Sequence, residues 1–425
     1  MLGTETRTPN GTASYMITPK HSGLIGLAAL SWTLGVAGTQ QWARGEGWRL
    51  IVQDPLPTKV ASPIVVEVPA TMPAGGYEAR ATAPAPSRPI VVQVFDDSGK
   101  RWLGMVLPPG ANEGSYDLRA IPASGDGLTR GFSLDAKDAR IAIRFNHDLV
   151  TEYRTDEGAK PFLFPLIGPT GAWYTRSYPM GLVAGEDRDH RHQRSFWFTH
   201  GKVNGTDFWS EEKGHGTIKE TARSTMVSGP VLARLRTADD WIAPDGSKVC
   251  ADERVLTVTQ AGSARIVDFE VTLKAAHGPV VFGDTKEGMF GLRVASSMDV
   301  NRKKGGKITN AEGLVDDHAW GKASPWVDYI GPVAGKTVGI AILNHPRSFR
   351  YPTTWHVRTY GLFAANPFGW HDFGLGKSGE YTLASGENLW FGYRVILHSG
   401  ETASARIPDA FASYCQPARI EIKQN

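Results

Sequence analysis

The sequence predicts an all-β protein, and two observations support this fold class. Short runs of strand length recur along the chain, in which apolar residues alternate with polar ones or are mostly β-branched. The 48 glycines and 27 prolines mostly fall between these runs, where they are typical of turns. Outside the N-terminal segment no long amphipathic helical pattern occurs. We therefore expect a small β-domain followed by a large antiparallel β-sandwich, with a barrel as the related alternative.

Each expected strand is a short run of this kind. The runs are PIVVEV from Pro63, PIVVQV from Pro89, RIAIRF over residues 140–145, a hairpin with the turn QAGS over residues 254–274, FGLRVAS from Phe290, TVGIAIL from Thr337 and LWFGYRVILH from Leu389. The two PIVV runs are too short to establish an internal repeat.

The N-terminal segment has the pattern of a secretory leader. Lys20 and His21 precede an apolar run, Leu24–Gly38, that ends in small residues. A membrane span needs about 20 apolar residues, so a lone membrane anchor is only the second interpretation. We predict that residues 1–43 are a signal peptide or leader, with Met16 as an alternative start.

Composition changes near residue 150, and the change predicts two domains. Residues before it carry simple β-branched strands separated by loops rich in Pro, Ala and Gly, whereas most histidines and tryptophans follow it. We predict a small N-terminal β-domain over residues 44–148, a large β-sandwich over residues 149–415 and a C-terminal tail over residues 416–425. The 425 residues are enough for this organisation, since domains average about 150 residues.

Charge and cysteine content limit the expected partners. The chain has 46 Lys and Arg against 43 Asp and Glu, a net charge of +3, which gives no electrostatic case for nucleic acid. No segment after the leader is apolar enough to span a bilayer, so we expect no membrane partner after leader removal and a periplasmic or secreted location. Cys250 and Cys415 are expected either to pair in an oxidising compartment or to remain two isolated thiols.

The stretch DHRHQRSFWFTHGKVNGTDFW, residues 189–209, concentrates histidines, rings and charges. If residues 190–200 are extended, alternation places one set on a single face: His190, His192, Arg194, Phe196, Phe198 and His200. An H-x-H pair on one face suits proton transfer near neutral pH or metal ligation. The structural alternative is that these histidines are hydrogen-bonded inside a sandwich. The NG pair at Asn204 predicts a tight turn that returns Asp207 and Trp209 towards the same end.

Three further stretches combine rings with polar groups. FGDTKEGMFGLRVA, residues 282–295, carries Asp284 and Glu287, which are either an acid/base pair or a solvated turn before a strand. Residues 316–331 and 344–374 add histidines, tryptophans and arginines on loops that prolines hold in order. Rings beside fixed donors and acceptors are what a sugar needs, although some of these tryptophans are expected in the core.

Several segments resemble a known family. KPFLFPLIGPTGAWYTRSYPM, DHRHQRSFWFTHGKVNGTDFW, FGDTKEGMFGLRVA, WGKASPWVDYIG and PTTWHVRTYGLFAANPFG look like the secreted bacterial β-sandwich family labelled "methane oxygenase PmoA". That family usually carries D-H-x-H-H-R, and Gln193 stands here where its second adjacent histidine is common. The label does not imply methane oxidation, because the membrane subunit of methane monooxygenase is a bundle of apolar helices. The resemblance implies an architecture similar to the large sandwich of galactose mutarotase and polysaccharide lyases, which act on sugar rings with His and Glu.

We therefore predict a secreted carbohydrate-active protein, in the first place an enzyme of the glycoside hydrolase, lyase or epimerase type without a cofactor. Two alternatives stay open: a non-catalytic carbohydrate-binding or cell-surface protein, and a metal-dependent enzyme with His190 and His192 as ligands. The predicted proton-transfer groups are His190, His192 and Glu287. The predicted substrate-binding groups are Arg176, Asp189, Arg194, Trp197, Asn204, Trp320, Trp355, His356 and Arg358.

Overall fold

Three antiparallel sheets organise the chain in the computed structural model, which describes residues 47–57, 59–82, 88–122 and 130–425. The predicted leader, and Met16 within it, lie outside the described residues. No helix in the described part of the chain is long and apolar enough to cross a membrane.

Sheet A contains the N-terminal strands together with the last strand of the chain. Its members are β1 (Trp48–Gln53), β2 (Ser62–Glu67), β3 (Gly75–Ala81), β4 (Ile90–Asp97), β5 (Lys100–Leu107), β6 (Gly114–Ala120) and β25 (Arg419–Gln424). Their order is β2–β5–β4–β3–β6–β1–β25. Leu50, Val92 and Leu103 are buried in the apolar layer that this sheet forms on one side.

Sheet B is built from short strands that are far apart in the sequence. Its members are β7 (Phe132–Lys137), β8 (Arg140–Phe145), β9 (Asp148–Arg154), β10 (Phe162–Leu163), β11 (Phe196–His200), β17 (Gly288–Arg293), β21 (Trp355–Val357) and β22 (Leu362–Ala365). Their order is β21–β22–β17–β11–β10–β9–β8–β7. The long segments between them are the loops that carry most of the predicted site residues.

Sheet C contains the longest strands. Its members are β12 (Thr217–Val227), β13 (Leu232–Ile242), β14 (Lys248–Ala261), β15 (Ala264–Lys274), β18 (Lys307–Asn310), β19 (Trp326–Val333), β20 (Lys336–Asn344) and β24 (Asn388–Ser399). Their order is β12–β13–β14–β15–β24–β20–β19–β18. A separate small pair joins β16 (Val280–Phe282) to β23 (Tyr381–Leu383), and two short helices, α1 (Thr402–Ala405) and α2 (Ile407–Cys415), precede β25.

Sheets B and C pack face to face and form the main core. Because side chains alternate between the two faces of a sheet, every second side chain of a strand points inward. Phe196 and Phe269 meet with ring centroids 5.2 Å apart, and Phe290 and Tyr393 meet at 4.7 Å. Aromatic pairs at such distances stabilise a core beyond their burial alone. The predicted all-β class, with an antiparallel sandwich, is confirmed, while the closer likeness to the galactose mutarotase sandwich stays a prediction.

The runs picked out in the sequence coincide with strands. They correspond to β2, β4, β8, the β14–β15 hairpin, β17, β20 and β24. The hairpin pairs Ala251 with Lys274 and Ala261 with Ala264, so its turn lies within the predicted QAGS segment. Cys250 and Cys415 are free thiols, the first of them buried in the core.

The change from one sheet to the next falls earlier than the predicted domain division at residue 148. β8 and β9 form a hairpin in which Phe145 lies opposite Asp148, so that division would separate two bonded strands. The transition from sheet A to sheet B lies between β6 and β7. Residues 416–425, predicted as a tail, contain β25, which pairs with β1 from Trp48 to Gln53.

Asp97, the last residue of β4, connects sheet A to sheet C. Its buried carboxylate accepts hydrogen bonds from Arg234 at 2.7 Å, from Arg236 at 2.9 Å and from the Thr225 hydroxyl at 2.7 Å. Burial alone would raise the pKa of this carboxyl, but the hydrogen bonds from Arg236, Thr225 and Arg234 hold it well below its usual range. The two sheets are therefore joined through the Asp97 carboxylate, which accepts hydrogen bonds from three side chains of sheet C.

Asp97→Asn is expected to lower the free energy of unfolding by about 3–5 kcal/mol, because it leaves the buried Arg234 guanidinium without its carboxylate and removes one of the two carboxylates that bond Arg236. Asp96→Asn is the matched control, since its carboxyl is 63% exposed and the change should stay within about 0.5 kcal/mol. Because the folded-state pKa of Asp97 lies below the unfolded value, its contribution is present above about pH 4 and is lost as the pH falls further. Urea unfolding of both variants between pH 3 and 7 tests this, and equal stability losses would contradict it.

Candidate functional site

A row of side chains on the outer face of sheet B forms the floor of the site. Register places His356, Ala364, Gly291, Trp197 and Phe162 directly across neighbouring strands. Opposite residues in an antiparallel pair lie on one face, and Phe196 beside them faces the core, so this row faces away from sheet C. A Cβ on Gly291 would lie 2.6 Å from the Trp197 indole, so the ring lies flat across the glycine. The floor therefore contains the Trp197 ring, and this position of the ring requires a glycine at residue 291.

The loop that precedes β11 is held over this floor by buried charge. The Arg176 and Arg293 guanidinium groups both bond the Asp189 carboxylate, Arg293 at 3.0 Å. Arg176 also donates to the backbone carbonyls of Asp187, at 3.3 Å, and His190, at 3.1 Å. Burial would raise the pKa of Asp189, but Arg293, the hydrogen bond with His190 and Arg176 lower it to about 2. The carboxylate is therefore ionised at neutral pH.

His190 is oriented by two contacts. Its Nδ1 lies 2.6 Å from Asp189 Oδ2, and because the ionised carboxylate only accepts, Nδ1 carries the proton. The imidazole stacks on the Tyr360 ring with centroids 5.2 Å apart and planes 8° from parallel. The side chain is 41% exposed. An exposed imidazole whose Nδ1 is held by a carboxylate has its Nε2 available for a ligand.

His192 has a different environment. Its ring lies 5.8 Å from that of His190 and 6.2 Å from that of Trp209. Burial, followed by the charges of Lys160 and His190, lowers its pKa to about 4. His192 is therefore a neutral imidazole at pH 7, and its ring makes no hydrogen bond within the described residues.

The strand phase predicted for residues 190–200 is wrong for its first half. Only Phe196–His200 is extended, as β11, and residues 190–195 form a loop. His190 has φ +44° and Ser195 has φ +58°, which no β-strand tolerates. The two histidines therefore meet through a loop held by Arg176, not through alternation along a strand.

Glu287 lies at the start of β17, on a segment that is tied on both sides. Its carbonyl accepts from the Gly201 amide at 2.6 Å, and the Lys286 carbonyl accepts from His356 Nδ1 and from the Asn366 side-chain amide, both at 2.8 Å. The Glu287 carboxyl itself makes no hydrogen bond within the described chain, and the nearest cation, Lys286 Nζ, is 3.8 Å away. The backbone of this segment is thus fixed by hydrogen bonds, whereas the Glu287 carboxyl has none within the described chain.

The electrostatic setting of Glu287 favours its protonated form. Burial raises the pKa of this carboxyl most; Lys286 and Arg358 lower it, and the neighbouring Asp207 and Asp372 raise it further. The side chain keeps 36% of its surface exposed, so solvent and ligands reach it. A carboxyl with a raised pKa in an accessible position is a candidate general acid.

Arg358 lies between two aromatic rings. Its guanidinium carbon is 5.7 Å from the Trp320 centroid and 5.6 Å from that of Tyr360. Its guanidinium forms neither a hydrogen bond nor an ion pair within the part of the chain that the structure describes, although its charge reaches Glu287. It is therefore a donor held by cation–π contacts and still free to bind a ligand.

Tyr360 lies at the centre of the residues that the fold brings together. Its ring stacks on His190 and lies 4.8 Å from the Arg293 guanidinium. The charges of Arg358 and Glu287 act on the pKa of its hydroxyl. His192 and Glu287 both feel the charge of Asp207. The structure thus places one cluster around Tyr360: Asp189, His190, His192, Glu287, Trp320 and Arg358.

Two of the predicted stacking tryptophans are buried instead. Trp355 has no exposed surface, lies in the core between the sheets and donates its indole N–H to the Ser324 carbonyl at 2.9 Å. Trp197 is 1% exposed and belongs to the floor below Trp209. A sugar cannot stack on either ring, so the predictions for Trp197 and Trp355 are wrong, and Trp320 alone of the three has exposed surface.

The predicted substrate contacts of Arg176, Arg194 and His356 are wrong for a related reason. Arg176 is fully buried and holds the histidine loop. Arg194 pairs with Glu211, at 3.1 Å, in a buried network that also contains Lys160. His356 is 2% exposed and anchors the Lys286 carbonyl. These three side chains support the site from below and do not face a ligand.

Asn204 lies in a turn whose backbone its side chain bonds, and its role as a ligand-binding group stays a prediction. Its φ is +47°, its side-chain oxygen accepts from the Val281 amide at 2.7 Å, and its side-chain nitrogen donates to the Pro279 carbonyl at 3.3 Å. The tight turn predicted from the NG pair is present, and the asparagine serves that turn.

Sequence reasoning missed Arg293, Lys160 and Glu211 as parts of the site. Arg293 stands at the end of the otherwise apolar strand β17, and a charge in such a run was the available signal. Lys160 and Glu211 lie in loops without any pattern that links them. No group of three or more His, Cys, Asp and Glu residues in the described chain has an arrangement that could hold a metal ion, so the predicted alternative of His190 and His192 as ligands finds no third partner there.

The fold and the site define an antiparallel β-sandwich protein with an aromatic and charged cluster on the outer face of one sheet. The chain belongs to DUF6807, a family of unknown function whose model matches residues 140–412. The resemblance to the family labelled methane oxygenase PmoA stays a prediction beside this match. No curated protein matches the chain.

A solved structure that the chain matches is described as a protein in glycosyl hydrolase family 38 from Enterococcus faecalis. The identity is 12% and the TM-score 0.38, over 89% of this chain and 47% of the other. This chain therefore spans about half the length of that protein.

His356→Phe is expected to loosen the segment that carries Glu287, because it removes the hydrogen bond to the Lys286 carbonyl. We expect a stability loss of about 1 kcal/mol and faster hydrogen exchange at the Gly201 amide, which bonds the Glu287 carbonyl. His371→Ala is the control, since that ring is 86% exposed. Unchanged exchange at Gly201 in His356→Phe would show that this histidine does not anchor the segment.

Proposed function

We propose that this protein is a carbohydrate-active enzyme that transfers protons to and from a sugar ring, as a glycoside hydrolase, lyase or epimerase does. The observation that carries the proposal is the pairing of unlike groups around Tyr360. Glu287 is an accessible carboxyl with a raised pKa and no hydrogen bond, and His190 is an accessible imidazole oriented by an ionised aspartate. A carboxyl that can give a proton, beside an imidazole whose Nε2 can accept one, is suited to acid and base roles.

The proposed roles follow from these environments. Glu287, whose pKa is raised by burial, gives a proton to a leaving or ring oxygen. His190, with Nδ1 held by Asp189, accepts a proton at Nε2, and the carboxylate stabilises the imidazolium that forms. His192, a neutral imidazole beside it, binds a hydroxyl or shares the proton. Lys286 lies near enough to Glu287 to stabilise the carboxylate that remains after transfer.

The surroundings of these groups favour a sugar as the substrate. Trp320 offers a partly exposed ring, and Arg358 beside it offers donors that no group in the described chain uses. A sugar ring has an apolar face for stacking and hydroxyls that need fixed donors and acceptors.

A non-catalytic carbohydrate-binding protein is the second candidate, because the rings and Arg358 would suffice for binding without proton transfer. We further propose a periplasmic or secreted location, supported by the leader pattern in residues 1–43. The likeness of residues 189–209 to the family labelled methane oxygenase PmoA supports the sandwich architecture in this proposal and not an oxidation of methane.

Glu287→Gln and His190→Ala are each expected to lower turnover by roughly 10²–10⁴-fold, with melting temperatures within a few degrees of wild type. The substrate is first identified by a product screen on plant, algal and bacterial polysaccharides. Glu380→Gln and His371→Ala are the matched controls, since both side chains are exposed and lie outside the cluster. His192→Ala is measured in parallel and decides whether the second histidine is needed. Wild-type turnover in both Glu287→Gln and His190→Ala would end the acid/base proposal, and sugar binding without turnover would establish the binding protein instead.

The pH profile of turnover gives an independent readout of Glu287. As a general acid it must be protonated, so turnover is expected to fall as the pH rises through its raised pKa. Glu287→Gln should lack this descending limb. A profile that rises over the same range would assign Glu287 as a base. Turnover that is abolished by EDTA and restored by a divalent metal would favour the metal-dependent alternative.

A further inference from the structure

Two adjoining cavities lie between sheet A and the outer face of sheet C, away from the Tyr360 cluster. Their volumes are 190 and 320 Å³, and they share Val65, Arg234, Glu270, Arg347 and Trp390 as lining residues. The larger volume lies within the range of about 300–1,000 Å³ in which small-molecule sites fall. Neither cavity is used by the proposed function.

The floor of this second region repeats the arrangement seen on sheet B. Register places Arg236, Val255, Glu270 and Gly392 in one row across β13, β14, β15 and β24. A Cβ on Gly392 would lie 2.4 Å from the Trp390 indole, so the indole lies across the glycine. A flat aromatic surface therefore adjoins the Glu270 carboxyl.

Groups from other segments complete the walls. Trp102 on β5 of sheet A lines the larger cavity, opposite the strands of sheet C. The Arg347 guanidinium lies 5.2 Å from the Trp390 centroid and forms no ion pair within the described residues. The cavity thus has two indoles and a guanidinium held by a cation–π contact.

The charges in the cavity divide into paired and unpaired groups. Arg234 and Arg236 are bonded to Asp97, and Arg394 is bonded to Asp268 at 2.6 Å. Glu270 forms no ion pair within the described chain. Its pKa is raised by burial and lowered less by the charge of Arg234. The Glu270 carboxyl has a hydrogen bond with the Trp390 side chain, and its other lone pairs, together with the Arg347 guanidinium, remain for a ligand.

We propose that this cavity is a second saccharide-binding site, in which Trp390 and Trp102 contact a sugar ring, Glu270 accepts from its hydroxyls and Arg347 donates to them. A neutral sugar fits better than an anion, because a carboxyl lies on the floor and the other arginines are already neutralised. The choice of a saccharide rests on the proposed function, whereas the cavity and its unpaired groups do not. Such a site would hold a polymer on the protein while the first site acts on another part of it.

The test measures binding and turnover separately on the full chain. Equilibrium titration uses four- to six-unit oligosaccharides from cellulose, xylan, mannan and galactan, with polygalacturonate oligosaccharides as the anionic members. Two binding sites per chain are expected in wild type. Trp390→Ala and Arg347→Ala should each weaken one of them by about tenfold or more, with turnover of short substrates unchanged. Glu270→Gln, which keeps the shape of the side chain, should weaken the same site, and Trp320→Ala should weaken the other.

Each outcome separates this proposal from the function of the first site. One binding site per chain that Trp320→Ala removes and Trp390→Ala leaves intact would overturn the second site while the proposed function stands. Binding that Trp390→Ala removes, in a protein without turnover on any polysaccharide, would establish the second site and overturn the enzyme. Tighter binding of the polygalacturonate members than of the neutral ones would overturn the assignment of a neutral sugar. No binding of any oligosaccharide by wild type would overturn the proposal.

Discussion

A buried guanidinium requires charged or polar partners, and the way in which Arg293 meets this requirement fixes the candidate site. The side chain is 1% exposed at the end of β17. It donates to Asp189 and to the Gln193 side chain, and it covers the Tyr360 ring. One rigid strand thereby positions two loops, the one that carries His190 and the one that carries Tyr360 and Arg358. Arg176 adds a second buried cation to the same carboxylate, and the two cations hold a loop in which His190 has a positive φ.

On each outer face of the sandwich a tryptophan ring lies against a glycine, from the neighbouring strand on sheet B and from the same strand on sheet C. Trp197 lies across Gly291 on sheet B, and Trp390 lies across Gly392 on sheet C. In each case the absence of a Cβ allows an indole to lie flat on the sheet, where a larger residue would displace it. The difference is burial: Trp197 is covered by the site loops, whereas Trp390 lines an accessible cavity. The packing of an indole on a glycine therefore lies beneath the site loops on sheet B and lines a cavity on sheet C.

Local patterns predicted the strands well and the site only in part. The β14–β15 hairpin and β8 follow from alternation and turn residues within a few positions, so the sequence alone identifies them. Glu287, Trp320 and Arg358 could be singled out because carboxylates, rings and arginines beside turns stand out locally. The contact between Asp189 and Arg293 joins residues 104 positions apart, and the pairing of β25 with β1 joins the two ends of the described chain. Contacts at that range leave no periodic trace in the sequence, which is why the role of Arg293 and the β25 strand were missed and His190 was placed on a strand.

The two histidines of the H-x-H pair can now be distinguished physically. His192 is partly buried, close to Lys160, and lacks a hydrogen-bonding partner for its ring within the described residues, so its environment penalises a positive charge. His190 is more exposed, and its Nδ1 contacts an ionised carboxylate that is itself held by two arginines. A base in acid/base catalysis becomes positive when it accepts a proton, and the site must stabilise that state. Two histidines that are equally spaced in the sequence therefore have different surroundings, and this difference is the reason why His190 is the proposed base.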